Sequence, residues 1–74
     1  MILAVDAGNS RVKWGLHDGR DFVREGWVSR AELDALDVQW SDLPAPARVV
    51  IANVAGEEMG RRLREFSSRW HTAP

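Results

Sequence analysis

The 74-residue sequence predicts an α/β fold: a three-stranded antiparallel meander, a helix, a strand parallel to the first strand, and a second helix. Three strand-like stretches within residues 2–28, separated by short turns, predict the meander. A nearly unbroken apolar run at residues 48–53 then lies between two helical patterns, which is typical of a parallel strand covered on both faces. We therefore expect one mixed sheet with helices packed on it.

The strands of the meander are predicted at residues 2–5, 12–17 and 21–28. The first stretch is a short apolar run, and the second alternates apolar residues with others, as a half-buried strand does. Between the second and third stretches stands Asp18-Gly19, the preferred two-residue hairpin turn. The third strand is therefore expected to run back antiparallel to the second.

End signals and periodicity predict the two helices. Ser29-Arg30-Ala31-Glu32 matches a capping box, so the first helix is expected to begin there and to end near residues 37–40. Residues 41–47 contain two prolines and are expected to form a loop. One apolar stripe at helical spacing predicts the second helix, at residues 57 to about 70. Its members are Met59, Leu63, Phe66 and Trp70.

Charged and aromatic residues add two expectations about packing. Three pairs on the second helix have the i,i+4 spacing of ion pairs: Glu57 with Arg61, Glu58 with Arg62, and Glu65 with Arg69. Trp14, Trp27 and Trp70 are expected to pack in the core or at an interface, whereas the pattern leaves the place of Trp40 open.

Composition narrows the class of protein. The length fits one small domain or a piece of a larger one. There is no cysteine, so neither a disulfide nor a thiolate metal site is expected, and His17 and His71 lack metal-ligand spacing. A net charge of −1 disfavours nucleic acid as a partner. Residues 1–5 are too short an apolar run for a signal peptide or a membrane helix, so we expect a soluble, cytoplasmic protein without a membrane partner.

The turn after the first strand, Asp6-Ala7-Gly8-Asn9-Ser10, is the candidate ligand site. Gly8 permits positive φ or a close approach to the backbone, and successive backbone N–H groups in such a turn can surround an anion. Ser10 adds a hydroxyl and Lys13 a positive charge, while Asp6 can hold a hydrated Mg²⁺ ion. The alternative is an ordinary hairpin turn in which Asp6 and Asn9 bond to their own backbone.

Three short motifs resemble the N-terminal part of type III pantothenate kinases, which belong to the acetate kinase, sugar kinase, heat-shock 70 and actin superfamily. They are Asp-x-Gly-Asn-Ser after the first strand, Lys-Trp-Gly-Leu in the second, and Ile-Ala-Asn-Val-Ala-Gly at the end of the last. The resemblance implies a ribonuclease H-like (actin-like ATPase) fold, with residues 1–74 forming a single partial domain, its N-terminal half. It also implies that the first phosphate motif contacts ATP. The positions that this role falls on are Asp6, Ala7, Gly8, Asn9, Ser10, Arg11, Val12 and Lys13, with Asp6 also near the metal.

The same resemblance implies ATP, Mg²⁺ and a monovalent cation such as K⁺ as cofactors, pantothenate as the acceptor, and a homodimer for the full-length protein. Family members are several-fold longer, and the segments that carry their catalytic base, second phosphate motif and adenosine pocket have no counterpart here. We therefore assign no catalytic residue to this sequence and expect the chain alone to be inactive. The alternatives are an accessory transcriptional activator or interaction module, and a superfamily kinase with another acceptor.

Overall fold

A computed structural model describes residues 1–70 as one four-stranded mixed sheet with two α-helices. The strands are β1 (Ile2–Ala7), β2 (Arg11–His17), β3 (Phe22–Ser29) and β4 (Arg48–Asn53), in the spatial order β3-β2-β1-β4. β2 pairs antiparallel with both β1 and β3, and β4 pairs parallel with β1. The predicted α/β class, the meander and the parallel fourth strand are confirmed.

The helical segments are α1 (Ala35–Gln39), α2 (Glu57–Ser67) and two 3₁₀ helices, Arg30–Glu32 and Ser68–Trp70. None of the helices formed by residues 1–70 has the length and apolar character needed to cross a bilayer.

The sheet buries one face and leaves the other open. Alternate residues of β1 and β2, such as Leu3 and Leu16, are fully buried in one cluster with Leu36 of α1 and Leu63 of α2. Both α-helices thus contribute to the core on the same side of the sheet. The expectation that β4 is covered on both faces is wrong for residues 1–70: β4 is an edge strand, and Val50 is 45% exposed.

The first helix differs from its prediction because Ser29 is still part of β3. Its backbone is extended, it pairs with Arg11 of β2, and its side chain makes no capping hydrogen bond. The next N–H group, that of Arg30, donates to the carbonyl of Ser10 at 3.0 Å. The prediction that Ser29 caps a helix is therefore wrong. The chain forms a 3₁₀ helix first and the five-residue α1 only after it.

The β2–β3 connection is a four-residue loop, residues 18–21, rather than a two-residue turn. The Asp18 carboxylate accepts the N–H groups of Arg20 at 2.8 Å and Asp21 at 2.9 Å. Gly19 has φ +107°, and pairing resumes between His17 and Phe22. The Asp-Gly signal gave the hairpin correctly but its loop length wrongly, because the Asp18 side chain closes a wider loop.

The apolar stripe of α2 is confirmed, with Met59 and Leu63 buried and Phe66 partly buried against the core. None of the three predicted i,i+4 ion pairs forms among residues 1–70. Arg61 instead pairs with Glu58 and Glu65, Arg62 with Asp34, and Arg69 with Asp37. The last two pairs connect α2 and the 3₁₀ helix that follows it to the α1 region, contacts that spacing along one helix does not reveal.

The tryptophans also differ from expectation. Trp40, whose place the sequence leaves open, is only 1% exposed and packs edge-to-face on Trp14, which is in the core as predicted. Trp70 is partly buried against the core, whereas Trp27 is 57% exposed within residues 1–70. The core alternative is therefore wrong for Trp27, and an interface position stays a prediction. The prediction for His71 lies outside the described residues.

Candidate functional site

Two turns meet at one edge of the sheet, the edge where β1 and β4 end. Because these strands are parallel, Ala7 pairs with Asn53 at their last residues, and the N–H of Val54 donates to the Ala7 carbonyl at 3.0 Å. The β1–β2 loop, residues 8–10, therefore lies beside the turn that leads into α2. Such carboxyl edges are where open α/β sheets bind ligands.

The β1–β2 loop is fixed by two backbone hydrogen bonds. The N–H of Gly8 donates to the carbonyl of Arg11 at 3.0 Å, and the N–H of Arg30 donates to the carbonyl of Ser10. Gly8 does not have positive φ; within residues 1–70 the glycines that do are Gly19 and Gly56. The Gly8 N–H is thus bonded within the turn. It is one of the N–H groups that were expected to surround an anion, and it is not free to do so.

The charged residues that flank the β1–β2 loop have no ion-pair partner within residues 1–70. Asp6 and Lys13 are directly opposite each other on β1 and β2, and both are exposed. They nevertheless form no ion pair with each other or with any other described residue, and Arg11 forms none either. The alternative of a self-bonded turn requires the Asp6 or Asn9 side chain to bond to the local backbone, and neither makes such a bond within this range.

An open groove of about 470 Å³ connects these groups. It is lined by Asp6, Gly8, Asn9, Ser10, Arg11 and Lys13. Of the eight positions singled out from the sequence, the structure therefore brings six together around one space. The other two, Ala7 and Val12, are fully buried in the core, so their side chains are remote from any ligand in the groove.

The donor set of the groove fits a polyphosphate that carries a hydrated magnesium ion. Lys13 and Arg11 supply positive charge, and Arg11 also offers several N–H donors in one plane. Asp6 is the only carboxylate lining the groove, and residues 1–70 contain no cluster of three or more metal-ligating side chains. One carboxylate suits Mg²⁺, which keeps several waters and takes its other ligands from substrate phosphates.

The neighbouring turn supports the edge without adding a ligand group. The Asn53 amide donates to the Gly56 carbonyl at 2.9 Å and accepts the N–H of Ala55 at 2.9 Å, so both ends of the side chain are used. Gly56, which has φ +100°, is the residue immediately before α2. The first residues of α2, Glu57 and Glu58, are acidic and disfavour an anion at this helix end.

Trp27 is the residue near the site that sequence reasoning missed. The Arg11 guanidinium lies 5.2 Å from the centroid of its ring. The register of the β2–β3 hairpin could have identified Trp27, because it pairs Trp27 with Lys13, a residue already assigned to the site.

Comparison with known proteins gives a consistent family. A family model described as type III pantothenate kinase matches residues 2–74. A protein of Nitrosospira multiformis named type III pantothenate kinase is 45% identical over 74 residues, which is 100% of this chain and 28% of that protein. Proteins of the same name from Dechloromonas aromatica and Burkholderia multivorans are 46% and 43% identical, over 95% and 97% of this chain and 29% and 28% of their own lengths. The chain thus spans less than a third of the curated relatives it matches.

Proposed function

The chain belongs to the type III pantothenate kinase family, and on that premise we propose that it is the N-terminal, ATP-phosphate-binding part of a pantothenate kinase. The full-length enzyme transfers the γ-phosphoryl group of ATP to a hydroxyl of pantothenate, the first step of coenzyme A synthesis. The relatives named above carry the kinase name, which favours this function over a transcriptional activator, an interaction module or a kinase with another acceptor.

The observation that carries the proposal is the set of unpartnered polar groups around one groove. Lys13 and Arg11 bind phosphate oxygens, and the side chains of Asn9 and Ser10 add hydrogen bonds to them. Asp6 would hold a hydrated Mg²⁺ ion beside these phosphates. When bound, Mg²⁺ supplies positive charge that neutralises the phosphates. Ala7 and Val12 are buried in the core, so their contribution to the site is to fix the backbone on either side of the β1–β2 loop.

Charge stabilisation by this groove is only one part of phosphoryl transfer. The reaction depends on positioning both the phosphoryl group and the acceptor hydroxyl, with a base for the hydroxyl proton. The assigned residues of this chain hold the phosphates, and we place the base, the acceptor site and the adenosine pocket in the remainder of the full-length enzyme. We also propose a monovalent cation such as K⁺ as a cofactor of the full-length enzyme.

The proposal includes the architecture and setting of the full-length enzyme. The strand order β3-β2-β1-β4 and the phosphate groove at the β1–β2 loop support a ribonuclease H-like, actin-like ATPase domain. Residues 1–74 form a partial domain, its N-terminal half, and the open face of the sheet supports this. We also propose a cytoplasmic homodimer that acts on ATP and pantothenate.

The test is a coupled assay of a full-length type III pantothenate kinase that carries this chain as its N-terminal segment. With ATP and Mg²⁺ present, the expected result is ADP release that saturates with pantothenate and is absent without it. Other small alcohols serve as controls for the acceptor. ADP release that is indifferent to pantothenate but depends on another alcohol would contradict the assignment of the acceptor.

A further inference from the structure

An exposed tryptophan supports one of the two cations of the phosphate groove. Arg11 is the first residue of β2, and Trp27 is on the neighbouring β3, displaced by two residues in the pairing register. Their side chains meet diagonally, with the guanidinium carbon 5.2 Å from the ring centroid. This distance is within the range of an attractive cation–π contact.

Two other arginines stack on aromatic rings, and they differ from Arg11 in one respect. Arg62 lies 5.7 Å from the centroid of Phe66, and Arg69 lies 5.7 Å from that of Trp70. Both also form ion pairs within the fold, with Asp34 and Asp37 respectively. Arg11 is stacked in the same way, yet within residues 1–70 its N–H groups bond to no acceptor side chain.

We propose that Trp27 is a positioning residue of the phosphate groove, which holds the Arg11 guanidinium ready to bind the phosphates of ATP. The inference rests on the proposed function and deepens it by adding a residue that does not itself contact the nucleotide. The indole ring attracts the guanidinium without supplying an acceptor oxygen, so the N–H donors of Arg11 remain for the ligand. An arginine ordered beforehand loses less conformational freedom when phosphate binds.

Exposure of Trp27 agrees with this role. The side chain remains 57% exposed, so within residues 1–70 it contributes little to the core. The Lys13–Trp27 cross-strand pairing also places the ring beside the second cation of the groove. Phe22, another exposed aromatic residue of β3, contacts His17 and Gly15 rather than a groove cation, which makes it a matched control.

The experiment measures binding of MgATP and of adenosine by calorimetry in a full-length kinase that carries this segment. Trp27→Leu, Trp27→Phe, Arg11→Gln and the Arg11→Gln/Trp27→Leu double variant are compared with the unchanged enzyme. Trp27→Leu is expected to weaken MgATP binding about two- to fivefold and to leave adenosine binding unchanged. Trp27→Phe, which keeps an aromatic face, should retain most of the affinity, and Phe22→Leu should leave MgATP binding unchanged.

The double variant decides whether Trp27 acts through Arg11. If it does, Trp27→Leu causes no further loss of MgATP affinity once Arg11 is glutamine. An undiminished loss in that background, or equal weakening of adenosine binding, would overturn the inference and assign Trp27 to packing. Should Trp27→Leu not fold, Trp27→Met removes the ring under the same criteria. An unchanged enzyme that binds no MgATP refutes the proposed function itself, whereas normal MgATP binding in Trp27→Leu refutes only this inference.

Discussion

Strand β2 has a loop at each end, and the two loops use similar residues in opposite ways. In residues 18–21, the Asp18 carboxylate accepts the N–H groups of Arg20 and Asp21, and the Gly19 N–H donates to Nδ1 of His17 at 3.1 Å. The loop at the other end, residues 8–10, contains Asn9 and Ser10, and Asp6 lies two residues before it. Within residues 1–70 their side chains accept no such backbone bond.

This difference separates a structural loop from a candidate binding loop. Both contain an aspartate or follow one, and both combine glycine with a nearby basic residue, so composition alone does not distinguish them. A carboxylate that its own backbone uses is part of the fold. Several polar groups without a side-chain hydrogen bond that line a single groove are instead available to a ligand. Of the two loops compared within residues 1–70, this describes the one between β1 and β2.

The largest expected effect is the loss of catalysis when the chain that contains residues 8–10 is separated from the rest of the full-length enzyme. The isolated 74-residue chain should show no turnover in a coupled assay with ATP, Mg²⁺ and pantothenate. Each missing pre-organised contact to the transition state is commonly worth about 2–4 kcal/mol, so the loss of several lowers the rate by many decades. Turnover comparable to that of ordinary enzymes would mean that the active site has been misplaced.

A paired substitution compares the two loops directly in the full-length kinase. Asp6→Asn should lower kcat/KM for ATP by about 100-fold or more, because it removes the carboxylate charge that would hold hydrated Mg²⁺ beside the phosphates. Its melting temperature should stay within a few degrees of the unchanged enzyme, since Asp6 is exposed and has no ion-pair partner within residues 1–70. Asp18→Asn, at the opposite end of β2, should leave kcat/KM within about twofold. Equal losses in the two variants would remove the functional distinction between the loops.

The smallest expected effect is a pH dependence of the loop at residues 18–21. The N–H groups of Asp21 and Arg20 lower the pKa of the Asp18 carboxyl. The stability that these bonds contribute is therefore present above the pKa of this carboxyl in the unfolded chain, and is lost as the pH falls through its lower value in the fold. NMR should show the amide protons of Arg20 and Asp21 shifting across that acidic range. The Gly8 amide proton, which bonds to a carbonyl, should not shift, and a common shift at both loops would contradict this account.

Much of the fold could be predicted from local patterns. The meander, the parallel β4 and the stripe of α2 each follow from hydrophobic periodicity, which reports which face of an element is buried. Several failures have a different cause, because they depend on partners distant in sequence; the length of the β2–β3 loop, which Asp18 sets locally, is an exception. Arg62 and Arg69 bond to Asp34 and Asp37 rather than along their own helix, and Ser29 remains in β3 instead of capping a helix.

The candidate site was predictable as a stretch of residues but not in its geometry. Alternation along the strands separates Asp6 and Lys13 from the buried Ala7 and Val12, and this separation becomes certain only once the register is known. The conformation of Gly8 and the stacking of Arg11 depend on how the loop and β3 pack. Neither is encoded in a short motif.

The central claim is that the unpartnered cations of the groove bind ATP phosphates, and calorimetric titration of MgATP tests it most directly. The comparison is between Lys13→Met and Arg20→Met in the full-length kinase. Both remove an exposed cation next to a loop of β2, but only Lys13 lines the groove. A charge-assisted hydrogen bond is worth about 1.5–3 kcal/mol, so Lys13→Met should weaken MgATP binding by about tenfold or more. Arg20→Met should remain within about twofold of the unchanged enzyme, whereas equal affinities in the two variants would contradict the account.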